Sequence, residues 1–217
     1  MSHITLIRHG QANSTAKDEI SYDKLSDLGH QQAGWLGHYL RSSETHHTRL
    51  YTGTLRRHVE TAAGMATDLE PVQDARLNEL EYFTLATLLQ DQHGIPFPSG
   101  QGTFTTHLPQ VFEHWKADKI EGPPESFQSF HDRIDDALRE IAAGDGPALV
   151  VTSGGLISMA MAQAMGLGIP AMARMALAIM HTSMHRLFPI GGHLSPVLFN
   201  AVPHLETPDR RTAQTHI

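Results

Sequence analysis

Two short runs constrain the fold of this chain more than anything else in it. Ile4-Thr5-Leu6-Ile7 is apolar and β-branched, and it ends at Arg8-His9-Gly10. Ala148-Leu149-Val150-Val151-Thr152 is the clearest strand in the sequence, and it ends at Ser153-Gly154-Gly155. Runs this short, without a polar face, are strands covered on both sides, and such strands belong to parallel sheets flanked by helices. Leu50-Tyr51-Thr52 reads as another strand, leading into a helix that starts near Leu55-Arg56-Arg57. Ser26 suits the N-cap of a helix through Leu40, with Leu28, Ala33, Leu36 and Leu40 as its apolar stripe. Ser153-Gly154-Gly155 opens a further helix. The alternation predicts an α/β fold: a mostly parallel central sheet with helices on both faces.

Other stretches give weaker signals. Ala176 to Met180 is apolar and reads as the strand after the Ser153 helix. Between about Phe83 and Ser129 glycines and prolines break the pattern repeatedly, from Gly94 and Pro96 to Pro123 and Pro124. That segment reads as a cap inserted over one end of the sheet, within a single domain spanning 1–217. The tail from Pro203 is polar and is expected to lie on the surface.

Composition removes several function classes. A formal net charge of -7 argues against a general nucleic-acid binder, although it allows a local cationic pocket. With no cysteine there is no disulfide, thiolate nucleophile or zinc-thiolate site. No run approaches the roughly 20 apolar residues of a membrane span, and no signal-type segment precedes Ile4, so a cytoplasmic protein is expected. Sixteen histidines invite a metal site, and His181 and His185 are four residues apart. Their surroundings read as strand, however, with no HExxH-type acid nearby, so no metal or cofactor is expected.

In a parallel α/β sheet, ligands bind along the edge formed by the carboxyl ends of the strands. Arg8-His9-Gly10, Arg56/Arg57 and Ser153-Gly154-Gly155 all fall there. Guanidinium groups offer paired hydrogen bonds to phosphate oxygens, and histidine can act as a covalent nucleophile. The expected ligand is therefore a small phosphorylated molecule.

Arg8-His9-Gly10-Gln11 at the end of a first strand resembles the signature of the histidine phosphatase superfamily, phosphoglycerate mutase-like branch. Leu25-Ser26-Asp27-Leu28-Gly29-His30-Gln31-Gln32-Ala33 resembles its L-T/S-x-x-G-x-x-Q-A helix start. Leu55 to Ala62 resembles its P-L-x-R-A-x-E/Q-T-A element, Arg76-Leu77-Asn78-Glu79 its L-x-E segment, and Val150 to Gly155 its V-V-S-H-G-G strand end. The resemblance implies that His9 becomes a phosphohistidine and that Arg8 and Arg57 clamp the phosphoryl oxygens. Arg56, at the variable position, faces outward. Glu79 becomes the acid that protonates the leaving oxygen and later activates water, in preference to Glu81. Gln11 and Asn13 line the pocket mouth, and the amides of Gly154 and Gly155 offer an anion site.

One position departs from the pattern. Ser153 stands where the family has a second histidine; His181 is a neighbour able to compensate, although its place after an apolar run reads rather as a partly exposed strand histidine. Two readings follow: a divergent metal-independent phosphatase, or a weakened module of the same fold kept for binding phosphate or a protein. A mutase-type phosphotransferase is a third. Phe97, Phe104 and Trp115 suit an apolar substrate group and Lys116 and Lys119 a second anion, while both sets equally suit packing and surface.

Overall fold

The computed structural model describes residues 2–13, 15–43 and 46–216. Its strands are β1 (Ile4–Arg8), β2 (Arg49–Thr52), β3 (Pro71–Gln73), β4 (Ala148–Thr152), β5 (Met184–Ile190) and β6 (His193–Ala201). They form one sheet in the order β3-β2-β4-β1-β5-β6. The pairs β3-β2, β2-β4 and β4-β1 are parallel, while β5 and β6 run antiparallel on one edge. The expected α/β architecture is present, and the two central strands are those singled out above.

Every residue of β1 and β4 is buried, because alternate side chains serve two cores. Ile4, Leu6, Ala148 and Val150 point to the larger one. It is covered by α4 (Tyr82–His93), α5 (Gln101–Lys116), α6 (Phe127–Ala143), α7 (Gly154–Met165) and α8 (Ile169–Ala178). Ile7, Leu149 and Val151 point the other way, against Leu36 and Leu40 of α2 (Asp27–Ser42) and Ala62 and Met65 of α3 (Arg56–Met65). Ser26 caps α2 as expected, its hydroxyl accepting from the amide of Gly29 at 3.1 Å.

Three expectations need correction. Ala176 to Ala178 closes helix α8, and the strand begins at Met184. A short apolar run fits either element; here Pro170 in the first turn and the buried Ile169, Met172 and Ala173 select helix. The segment between Phe83 and Ser129 is also more regular than its glycines and prolines imply, since most of it forms α4 and α5. Gly94 ends α4 in a left-handed conformation (φ 68°). Pro109 lies inside α5. It cannot donate to the carbonyl of Thr105, but Thr105 is exposed and water can take that place. Finally, the polar tail is anchored. Val202, Leu205 and Ala213 make a small core with Leu28, Trp35 and Met180.

Candidate active site

The carboxyl ends of β1, β2 and β4 open into a cavity of about 830 Å³. Arg8, His9, Asn13, Arg57, Glu79 and Gly154 all contribute to its lining. Gln11 does not. Its side-chain oxygen accepts from the Ser26 hydroxyl at 2.8 Å, and its amide donates to Gln32 at 2.8 Å, so it holds the loop to α2. Asn13 works partly in the same way, donating to the carbonyl of Ser21 at 2.9 Å.

His9 is nearly fully buried, and its Nδ1 lies 2.7 Å from its neighbour's carbonyl, Gly10 O. A carbonyl only accepts, so Nδ1 carries the proton and Nε2 the lone pair. Burial, with the charges of Arg57 and Arg8 close by, pushes the imidazole well below its usual range. The imidazole is held neutral, with Nε2 unprotonated.

The two arginines are held from behind. Arg8 Nη1 donates to the carbonyls of Ile179 and His216, the latter at 2.6 Å. Arg57 Nη1 pairs with Asp23 Oδ1 at 3.0 Å, and its guanidinium lies 5.1 Å from the centre of the Tyr22 ring. Asp23, just after the short helix α1 (Glu19–Tyr22), also accepts from the amides of Arg56 and Arg57 and so caps α3. On both Arg8 and Arg57, Nε is buried without a hydrogen-bond partner. Two orphan N–H donors at one cavity are costly unless a ligand accepts from them. Arg56 turns to solvent and pairs with Glu60 at 2.5 Å.

Glu79 follows a 3₁₀ turn that Thr152 holds through Leu77 O at 2.7 Å. Arg133 fixes the same segment through the carbonyls of Arg76 and Asn78. Glu79 Oε2 accepts from the amide of Gly155, at the start of α7, at 2.8 Å. A Cβ at Gly155 would come within 2.4 Å of Glu79 Oε1, so this approach requires glycine. Glu81 lies outside the cavity lining and accepts from Thr84.

Ser153 and His181 are both buried behind the cavity. Ser153 Oγ lies 2.6 Å from His58 Nε2. His181 sits in a turn before β5 and bonds through Nδ1 to Thr215 O at 3.0 Å. Its ring centre is 5.9 Å from that of His9, and the ring centre of His58 is 5.7 Å from that of His9. The expectation of a partly exposed strand histidine at 181 is therefore corrected: the tail covers it. His185 bonds Ser183, and no cluster of three metal-ligating side chains occurs among the described residues.

Residues 4–201 match the family model described as histidine phosphatase superfamily (branch 1). The chain belongs to this superfamily. No curated protein matches the sequence. Among solved structures, a mutant phosphoserine phosphatase from Entamoeba histolytica, in complex with phosphoserine, is similar with a TM-score of 0.69. Its identity is 18%, over 94% of this chain and 100% of that one. YhfR of Bacillus stearothermophilus gives 0.68 at 23% identity, covering 95% and 100%. Phosphoglycerate mutase of Bacillus anthracis gives 0.67 at 19%, covering 94% of each. These likenesses show the fold, which a phosphoserine phosphatase and a phosphoglycerate mutase share.

The far wall of the cavity is aromatic. Tyr22, Tyr82, Phe83, Phe97 and Phe104 line it, with Phe83 and Phe97 stacked at 6.0 Å and Tyr82 edge-on to Phe104 at 5.3 Å. Of the residues considered above for contact with a substrate, Phe97 and Phe104 line the cavity. Trp115 is in the core instead, its indole N–H on Glu125 O. Lys116 packs over Phe127, and Lys119 is exposed; neither lines the cavity. Reading the sequence missed Lys17, Glu19 and Tyr22 at the rim, because the stretch between Asn13 and Leu25 carries no periodic signal. It also missed His216, which the polar tail brings to the mouth.

Proposed function

We propose that this protein is a metal-independent phosphomonoesterase that works through a phosphohistidine on His9. Its substrate is an ester whose leaving group is apolar or aromatic. One observation carries the reading: a neutral imidazole with a free lone pair stands between two buried guanidinium groups whose Nε–H donors lack partners. His9 Nε2 attacks phosphorus and the ester P–O bond breaks, while Glu79 as a carboxylic acid protonates the departing oxygen. Water then attacks the phosphohistidine and gives its proton to Glu79. Phosphate leaves and the electron pair returns to Nε2. Arg8 and Arg57 supply the fixed positive charge. Residues 83–129 act as the cap that selects the leaving group, since Phe83, Phe97 and Phe104 come from it.

A panel of phosphate esters tests this. An aryl phosphate is expected to exceed a small phosphorylated hydroxy acid in kcat/KM by roughly 30-fold, because burying one aromatic ring contributes about 2 kcal/mol. Prolonged chelation should leave the rate unchanged. A loss restored by zinc or magnesium overturns the metal-independent reading. A protein that binds phosphate and releases none is a binding module instead.

Glu19 adds a pH dependence. Its Oε1 accepts from the amide of Phe83 at 2.8 Å. Burial pushes its carboxyl up from 4.5 to about 7, against the opposing pull of that N–H and of Arg57. Below pH 7 the group is neutral at the cavity rim, and above it a negative charge faces a dianionic ester. KM should therefore rise as pH climbs from 6 to 8, and Glu19→Gln should remove most of that rise. A rise that persists in Glu19→Gln would assign the effect elsewhere. For stability the sign is that of a raised pKa: the contribution is full below pH 4.5 and lost as pH rises through about 7.

A further inference from the structure

His58, Ser153 and His9 come from three neighbouring strand ends. β4 lies between β2 and β1, so Ser153 at its end is flanked by His58 from the start of α3 and by His9. His58 and Ser153 are wholly buried and 2.6 Å apart. In the pattern that Leu55 to Ala62 resembles, the position of His58 carries alanine, and that of Ser153 carries histidine. This chain has the imidazole and the small residue interchanged, so similar volume fills the space from the opposite side.

The polar atoms fix how the pair works. His58 Nδ1 is buried without a partner, packed so closely on Gly53 that a Cβ there would lie 2.2 Å from it. A neutral imidazole has one N–H. Leaving that donor unpaired in a dry contact costs more than leaving a lone pair unpaired. The proton therefore sits on Nε2 and is donated to Ser153 Oγ. That bond is the one Ser153 Oγ makes among the described residues, and its own proton remains to be given. Burial and the charge of Arg57 keep His58 neutral.

We propose that His58 is a positioning residue that holds the Ser153 hydroxyl as a donor to the phosphoryl oxygens bound at Arg8, His9 and Arg57. The two side chains together do the work of one histidine, and His181 is not the substitute. This inference rests on the phosphomonoesterase reading. It also reverses a simple expectation: Ser153→His alone should not raise turnover, because His58 already fills the room.

Kinetics on an aryl phosphate separate the possibilities. His58→Ala and Ser153→Ala should each lower kcat by about 10²-fold, the scale of losing one oriented donor at a developing oxyanion. KM should change little. The double variant His58→Ala/Ser153→Ala should be no slower than the worse single, because the two act as a unit. His58→Gln, whose amide N–H replaces Nε2–H, should recover most of the rate, as should the exchange His58→Ala/Ser153→His. An unchanged kcat in His58→Ala, or single effects that multiply in the double, would overturn the proposal. So would a collapse in His181→Ala with Ser153→Ala unaffected. Should His58→Ala fail to fold, the two volume-conserving variants still decide. Nitrogen-15 NMR of the histidines gives a readout without turnover: His58 is expected as the Nε2–H tautomer, and an Nδ1–H tautomer refutes the pairing. A wild type that hydrolyses no ester would sink the phosphatase reading, while the tautomer and the inorganic-phosphate affinity of His58→Gln would still judge the pair.

Discussion

His9→Ala is expected to lower phosphate release by about 10⁴-fold or more, the scale seen when a covalent nucleophile is removed. Rapid quench of the wild type with labelled ester should trap acid-labile phosphate on His9. The prediction is specific because the tautomer is set. Nδ1–H is committed to Gly10 O, so only Nε2 is left to attack, and burial beside two guanidiniums keeps it unprotonated across the physiological range. Label recovered on a serine, or turnover surviving in His9→Ala, would show that the cavity uses another nucleophile. His58 and His181 are close enough to be the first suspects.

Arg57→Lys should cost about 10²–10³ in kcat/KM, although charge is conserved. Arg57 does two things with one planar group. Nη1 is tied to Asp23 at 3.0 Å, and Nε is left facing no protein acceptor. An ammonium has no fork with which to keep the tether and meet a phosphoryl oxygen along a second direction. Asp23 would still cap α3 through two backbone amides, so the fold should hold and the loss should fall on activity. Arg56→Ala, at the exposed neighbour, is the control. Activity in Arg57→Lys within about threefold of wild type, under 1 kcal/mol, would show that Arg57 supplies only charge.

Much of the site was legible because its residues sit where the pattern changes from strand to loop to helix. Arg8 and His9 end a short β-branched run that stops at a glycine and so reads as a strand, and Arg57 follows another. Glu79 was legible through resemblance alone. No periodicity marks it, and its position depends on contacts to Thr152 and Arg133 from distant parts of the chain. His58 lay within a quoted motif, yet its meaning required the hydrogen bond to Ser153, across 95 residues. Helix α8 was misread because a short apolar run cannot distinguish a period of 2 from one of 3.6. The tail was misread from its polarity, since three buried side chains, Val202, Leu205 and Ala213, anchor an otherwise hydrophilic stretch.

The tail's reach has a consequence for how the protein comes into being. Gln32 donates to Ala213 O, His181 to Thr215 O, and Arg8 to His216 O. Strand β1 lies in the middle of the sheet, and its neighbours β4 and β5 are translated long after it. Such pairings between remote stretches must bear the entropy of closing long loops before any contact forms. A nascent chain thus contains His9 and Arg8 long before the strands and the tail that surround them in the folded protein.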